Sequence, residues 1–95
     1  MSLHQLRKHI DRLDDRIVRL LNRRLELAQR IGNLKMRNGG KVHDRKRENW
    51  ILSRLTTGLK GPLTERELRS IYQCILKASR DHQKRFYFPH SECGK

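Results

Sequence analysis

The sequence predicts an all-α protein of three helices, the first far longer than the other two. Three observations lead there. Aliphatic residues recur at steps of three and four from Leu3 to Leu34, with no proline or glycine before Gly32. Two strong breakers, Asn38-Gly39-Gly40 and Lys60-Gly61-Pro62, cut the chain into three helical lengths. No stretch alternates apolar and polar residues as a half-buried strand does.

The first helix carries a seam: Leu3, Leu6, Ile10, Leu13, Ile17, Leu20, Arg24, Leu27, Ile31, Leu34. That spacing lines one face of a helix. Running to about Arg37, it is roughly 50 Å long. The exception on the seam is Arg24. A guanidinium on an apolar stripe is costly unless something pairs with it. The seam count selects Arg24 rather than its neighbour Arg23. Lys35 lies close to three turns further on, on nearly the same face. Two cations facing one apolar groove point to a buried anionic ligand. Arg7 sits about 25 Å along the axis from Arg24 and about 42 Å from Lys35. It reaches the same small ligand only from a second, antiparallel copy of the helix.

Lys41-Val42-His43 is a short link. Asp44 is suited to cap a second helix carrying Arg47, Glu48, Ile51, Leu52 and Leu55, which stops at Thr57-Gly58. Thr64-Glu65-Arg66-Glu67 has the form of a capping box and opens a third helix. Its inner face is expected to run Leu68, Ile71, Tyr72, Ile75, then continue in polar groups at Ser79 and Gln83. Residues 1–88 form the expected domain. Residues 89–95, beginning at Pro89, have the composition of a frayed tail.

Composition bounds the function. The chain has 95 residues, so one domain is expected, and only 35% are hydrophobic. So small a chain cannot cover a stripe of roughly 50 Å by itself, and a dimer is the natural answer. Lys and Arg number 23 against 10 acidic residues, a net charge of +13. That favours anionic partners without choosing between a polyanion and a small molecule. The two cysteines, Cys74 and Cys93, form no framework, and the five histidines show no paired ligand spacing. No metal or cofactor is therefore expected. The charged N-terminus and the lack of a long apolar run lead to the expectation of a cytoplasmic protein without a membrane partner.

The candidate site is the set of polar residues that break apolar faces or cluster at a helix start. These are Arg24, Lys35, Asp44, Arg47, Glu48, Ser79 and Gln83, with Arg7 from a partner. The set has four cations, two carboxylates and two neutral hydrogen-bonding groups. It contains no evident nucleophile–base pair. Such a set suits holding a dianion and stabilising charge. Each member also has a plain structural explanation. Arg24 can set helix register, and Arg7 and Arg47 can be solvated surface. Lys35 can complement the helix dipole. Asp44 can be a cap, and Glu48 can favour the positive start of its helix. Ser79 and Gln83 can be packed polar groups, and Cys74 a small core residue. Their joint occurrence at helix-compatible positions favours a site.

The chain resembles the all-helical class of chorismate mutase. The stretches that carry the resemblance are Leu6-Arg7-Lys8-His9-Ile10-Asp11-Arg12-Leu13-Asp14, Leu20-Leu21-Asn22-Arg23-Arg24, Ala28 with Ile31-Gly32-Asn33-Leu34-Lys35, Val42-His43-Asp44-Arg45-Lys46-Arg47-Glu48, and Ser79-Arg80-Asp81-His82-Gln83. They span most of residues 3 to 84, in matching order and spacing. The resemblance implies an intertwined homodimer with two equivalent sites. Chorismate would rearrange there to prephenate, on the branch to phenylalanine and tyrosine. It implies that Arg24 and the partner copy's Arg7 hold the two carboxylates, assisted by Arg47 and Ser79. Lys35 and Gln83 would donate to the ether oxygen. Glu48, with the backbone at Asp44, would bind the ring hydroxyl. Two other readings compete. An isochorismate-pyruvate lyase uses the same scaffold and a similar cationic pocket, though the Gln83 and Glu48 pair favours the mutase. A basic helical nucleic-acid-binding protein would explain the charge, but aromatics are only 5% of the chain, leaving few stacking platforms.

Overall fold

Three helices make up the computed structural model, which describes residues 1–39 and 44–87. They are α1 (Leu3–Asn38), α2 (Arg45–Thr56) and α3 (Glu65–Tyr87). The expected link at 41–43 and tail at 89–95 lie outside the described residues, and with them His43, His90 and Cys93.

Each helix starts where its first turn can be satisfied. Ser2 Oγ accepts from the Gln5 backbone N–H at 3.2 Å, and Gln5 Oε1 accepts from the Ser2 backbone N–H at 2.8 Å. This capping box satisfies two of the groups that an open helix end leaves bare. Asp44 caps α2 by accepting from the Arg47 amide at 3.0 Å. Thr64 and Glu67 form the reciprocal pair at α3, at 3.0 and 3.1 Å. The ends are equally local. Gly39 takes φ 70° and its N–H reaches the Lys35 carbonyl. That left-handed position suits a residue without Cβ. At the end of α2, the Thr56 hydroxyl donates to the Leu52 carbonyl and the Thr57 hydroxyl to the Ser53 carbonyl, each at 2.8 Å.

α3 is the hub. α1 packs against α3 and α2 packs against α3, but among the described residues α1 and α2 do not pack on each other. Ile51, Leu52 and Leu76 form the central cluster, with Leu55 and Tyr72 against it. Ala28 joins α1 to α3 and is 4% exposed. The fold is elongated, 53 × 28 × 22 Å, with a radius of gyration of 16.5 Å. A compact chain of about this length has a radius near 13 Å.

The excess length is α1. Leu3, Leu6, Ile10, Leu13 and Ile17 are all exposed in the protomer. The periodicity that predicts the helix is present, but its N-terminal half faces no other described element of this chain.

Two expectations for α3 need correction. Cys74 is exposed rather than a small core residue. It lies two residues from both Tyr72 and Leu76, about 200° round the helix from each, and so on the opposite face. Ile71 is also half exposed, and Leu76 takes the core position instead. No helix among the described residues is long and apolar enough to cross a membrane.

Candidate active site

A cavity of about 420 Å³ opens between the C-terminal part of α1 and the first turns of α2, with α3 behind it. Its walls include Leu27, Ala28, Ile31, Ile51 and Leu76, and its polar lining is Arg24, Lys35, Asp44, Arg47, Glu48, Ser79 and Gln83. Seven of the eight candidate residues thus meet at one place, though they come from three helices and a cap. Arg7 is not among them. It is exposed on the free half of α1, about 25 Å before Arg24 along the helix axis.

The convergence follows from local structure. Arg24, Ala28, Gly32 and Lys35 share the face of α1 that turns to α3 and α2. Arg23 is exposed, while Arg24 is half-buried. Ala28 and Gly32 are one turn apart and both buried. Two small residues at this spacing let the helix axes approach closely. A Cβ added at Gly32 would lie 3.1 Å from the Gln83 Cα and 3.2 Å from its Cβ and Cγ. Gln83 is therefore seated directly against the α1 backbone.

Hydrogen bonding refines the roles available to these groups. Ser79 Oγ donates to the Ile75 carbonyl at 3.1 Å and accepts from Arg24 Nη1. A serine has one hydroxyl proton. With that proton on the helix backbone, Ser79 acts as an acceptor that steers the Arg24 guanidinium. Tyr72 supports it from the side, its ring centroid 5.7 Å from the guanidinium carbon. Arg47 lies over Trp50 at 4.7 Å, and Arg54 approaches the same ring at 5.2 Å. Such contacts place a planar cation on the electron-rich face of an aromatic ring. Glu48 accepts from Arg80 Nη1 on both carboxylate oxygens, each at 2.8 Å.

Gln83 is 8% exposed, and its Oε1 is buried without a hydrogen-bond partner among the described residues. Leaving such an atom unsatisfied costs about 1–3 kcal/mol. A ligand group in the cavity relieves that cost. Turning the amide exchanges Oε1 with Nε2, so the same position can present a donor or an acceptor.

Several contributors escape a reading of the sequence. Gly32 is open to detection, because Ala28-x-x-x-Gly32 is a pair of small residues on the seam side of α1. Trp50 lies three residues after Arg47 and four before Arg54, a spacing that makes helical neighbours. Arg80 gives no such signal, since it looks like one more surface cation beside Lys77 and Lys84. The Gln29–His82 contact at 3.1 Å also joins α1 to α3 with no sequence pattern to mark it.

Fold and cavity together define an all-α protein with an apolar-walled, cationic site of the volume that small organic ligands occupy. The family model for chorismate mutase type II matches residues 6–84, and the chain belongs to that family. It is 37% identical over 88 residues to the bifunctional chorismate mutase/prephenate dehydratase of Aquifex aeolicus, covering 88% of this chain and 24% of that protein. The chain thus spans about a quarter of the length of that relative. Its fold is similar to chorismate mutase (Form II) from Thermus thermophilus, with a TM-score of 0.86 and 38% identity over 87% of this chain and 94% of that one. It is also similar to chorismate mutase from Helicobacter pylori solved in complex with prephenate, with a TM-score of 0.84 and 32% identity over 95% and 97% of the two chains.

Proposed function

We propose that the chain catalyses the rearrangement of chorismate to prephenate, in a homodimer whose two sites are each completed by Arg7 of the other copy. The observation that carries this reading is the convergence of Arg24, Lys35, Arg47, Glu48 and Gln83 on one cavity. Family membership supports it, and so does the similarity to a chorismate mutase that holds prephenate.

The reaction breaks one C–O bond and forms one C–C bond within a single molecule. It transfers no proton and needs no covalent intermediate. Two kinds of assistance remain. The first is selection of a compact conformer in which the reacting carbons meet. Arg24 and the second copy's Arg7 serve this by gripping the two carboxylates with planar forks. Ser79 acts through Arg24, and Arg47 adds charge at the rim. The second is fixed positive charge where the ether oxygen gains electron density. Lys35 supplies an ammonium there and Gln83 an amide N–H. Glu48 and the Asp44 backbone receive the ring hydroxyl. The apolar walls exclude water, which strengthens each of these interactions.

The unpartnered seam of α1 supports the dimer. Its N-terminal aliphatic residues are exposed in the protomer, and an antiparallel second copy covers them while bringing Arg7 toward the cavity. The catalytic unit in this reading is residues 1–88. The test is incubation of the purified protein with chorismate, followed by product identification. Prephenate is expected. Release of pyruvate, or no consumption of chorismate, overturns the proposal.

A further inference from the structure

Glu48 lies in the wall between two concavities. One is the site cavity, and the other is a groove on the opposite side of the α2–α3 contact. Arg80 lines that groove and not the cavity, together with Arg45, Asn49, Cys74 and Lys77. It follows Ser79 directly, so its side chain leaves α3 about 100° away from the cavity-facing position. From there Nη1 reaches both Glu48 oxygens at 2.8 Å. The side chains of the pair are only 25% and 19% exposed. The contact is thus better shielded than Arg69–Glu65 or Lys77–Asp81 on the same helix.

The cavity poses a problem that this contact solves. A carboxylate beside Arg24 and Arg47 is drawn to them by the same attraction that draws a substrate carboxylate. A Glu48 that swung toward them would occupy the place of the ligand. A cation on the far side of the wall holds it back. The contact approaches the carboxylate from the groove side.

We propose that Arg80 is a positioning residue for the reaction, restraining the Glu48 carboxylate from behind so that it receives the substrate hydroxyl and does not compete for the cavity's arginines. The inference rests on the reading of the cavity as a chorismate site with Glu48 facing the ligand. It predicts an effect on KM more than on kcat, because a misplaced Glu48 opposes binding of the substrate.

The experiment compares kcat and KM for chorismate in Arg80→Met, Arg80→Lys, Glu48→Gln and the Arg80→Met/Glu48→Gln double variant. Lys77→Met controls for loss of one positive charge from the same groove. Arg80→Met is expected to raise KM roughly tenfold, the scale of one lost charge-assisted hydrogen bond. kcat should stay within a factor of about three of wild type. Arg80→Lys should recover most of the loss, and Lys77→Met should leave KM unchanged. On the Glu48→Gln background, Arg80→Met should add nothing. An Arg80→Met enzyme that matches Lys77→Met overturns the inference while leaving the site reading intact. So does an equal Arg80→Met effect with and without Glu48. A Glu48→Gln enzyme with wild-type kinetics instead overturns the site reading, and the inference with it. Should Arg80→Met fail to fold, Arg80→Gln carries the same comparison. If neither folds, the pair is a stability element and the positioning role is rejected.

Discussion

Gly32 lies directly against the backbone of Gln83 where α1 packs on α3. Gly32→Ala would add a carbon 3.1 Å from the Gln83 Cα, and a main-chain atom cannot swing aside as a flexible side chain does. The alanine gains about 1 kcal/mol of helix propensity, which offsets part of the strain. Little net change in melting temperature is therefore expected. Gln83 should shift by a few tenths of an ångström, and kcat should fall roughly tenfold because alignment at the reacting oxygen is lost. A Gly32→Ala enzyme with wild-type kcat shows that Gln83 tolerates the displacement or does not act.

Arg7 and Lys35 test the shared site. Each single alanine variant is expected to be inactive, Lys35→Ala through a kcat loss of roughly 100-fold or more. Mixing the two under conditions that exchange chains creates heterodimers with one intact site of two. Activity should return on mixing. Its absence, with exchange verified by mass or by a fluorescent label, rules out a site built from two chains.

Arg24 should be needed for turnover and dispensable for the fold. Its guanidinium is half-buried against Tyr72 and Ser79, and an apolar residue of similar size often replaces such a charge without loss of stability. Arg24→Leu is expected to abolish activity and to melt at or above the wild-type temperature. Unfolding of this variant assigns Arg24 to structure.

Gln83→Glu converts a donor that works at any pH into one that works only when protonated. Near neutrality an ionised carboxylate faces an oxygen that is gaining negative charge, so activity should be almost lost. As pH falls the carboxyl takes up a proton and can donate, so the rate should rise toward acid. Wild type over the same range should be flat. Wild-type activity in Gln83→Glu at neutral pH, with no gain in acid, removes Gln83 from the reacting oxygen.

A stability test comes from the start of α3. Hydrogen bonds from the Thr64 backbone and hydroxyl hold the Glu67 carboxyl below its ordinary value of 4.5. A depressed folded-state pKa means the unfolded chain binds the proton more readily. The resulting stability is present above the ordinary value and is lost as pH falls through the lowered one. Glu67→Gln cannot titrate. The advantage of wild type over this variant in melting temperature should shrink on acidification through that window. An advantage that does not change with pH excludes the ionised capping box as its source.

The backbone was legible from residue order because its signals are local. The seam specifies α1, and Asp44 and Thr64-x-x-Glu67 fix two helix starts within a turn. Ser2-x-x-Gln5 carries the same kind of signal at the third. Seven site residues could be gathered because each interrupts an apolar face or opens a helix. Arg80 could not, since its meaning depends on a residue 32 positions away across two helices. Cys74 misled for a related reason. Its size suits a core, but its angle on α3 turns it outward, and only the choice between Ile71 and Leu76 as the packed residue fixes that angle. Ser79 was found by pattern, yet its role as an acceptor follows from where its one proton goes.

Among the described residues, the backbones of α1 and α2 bound the cavity without packing on each other. A doubly charged guest seated between them acts as a keystone, because it ties together two walls that, among the described residues, pack their backbones on α3 and not on each other. The separation of those walls is then set as much by the guest as by the protein. Occupancy should stiffen α2 in particular, whose apolar attachment is a single small cluster on α3. In such an arrangement the ligand is a temporary part of the architecture, and each turnover assembles and dismantles one wall joint.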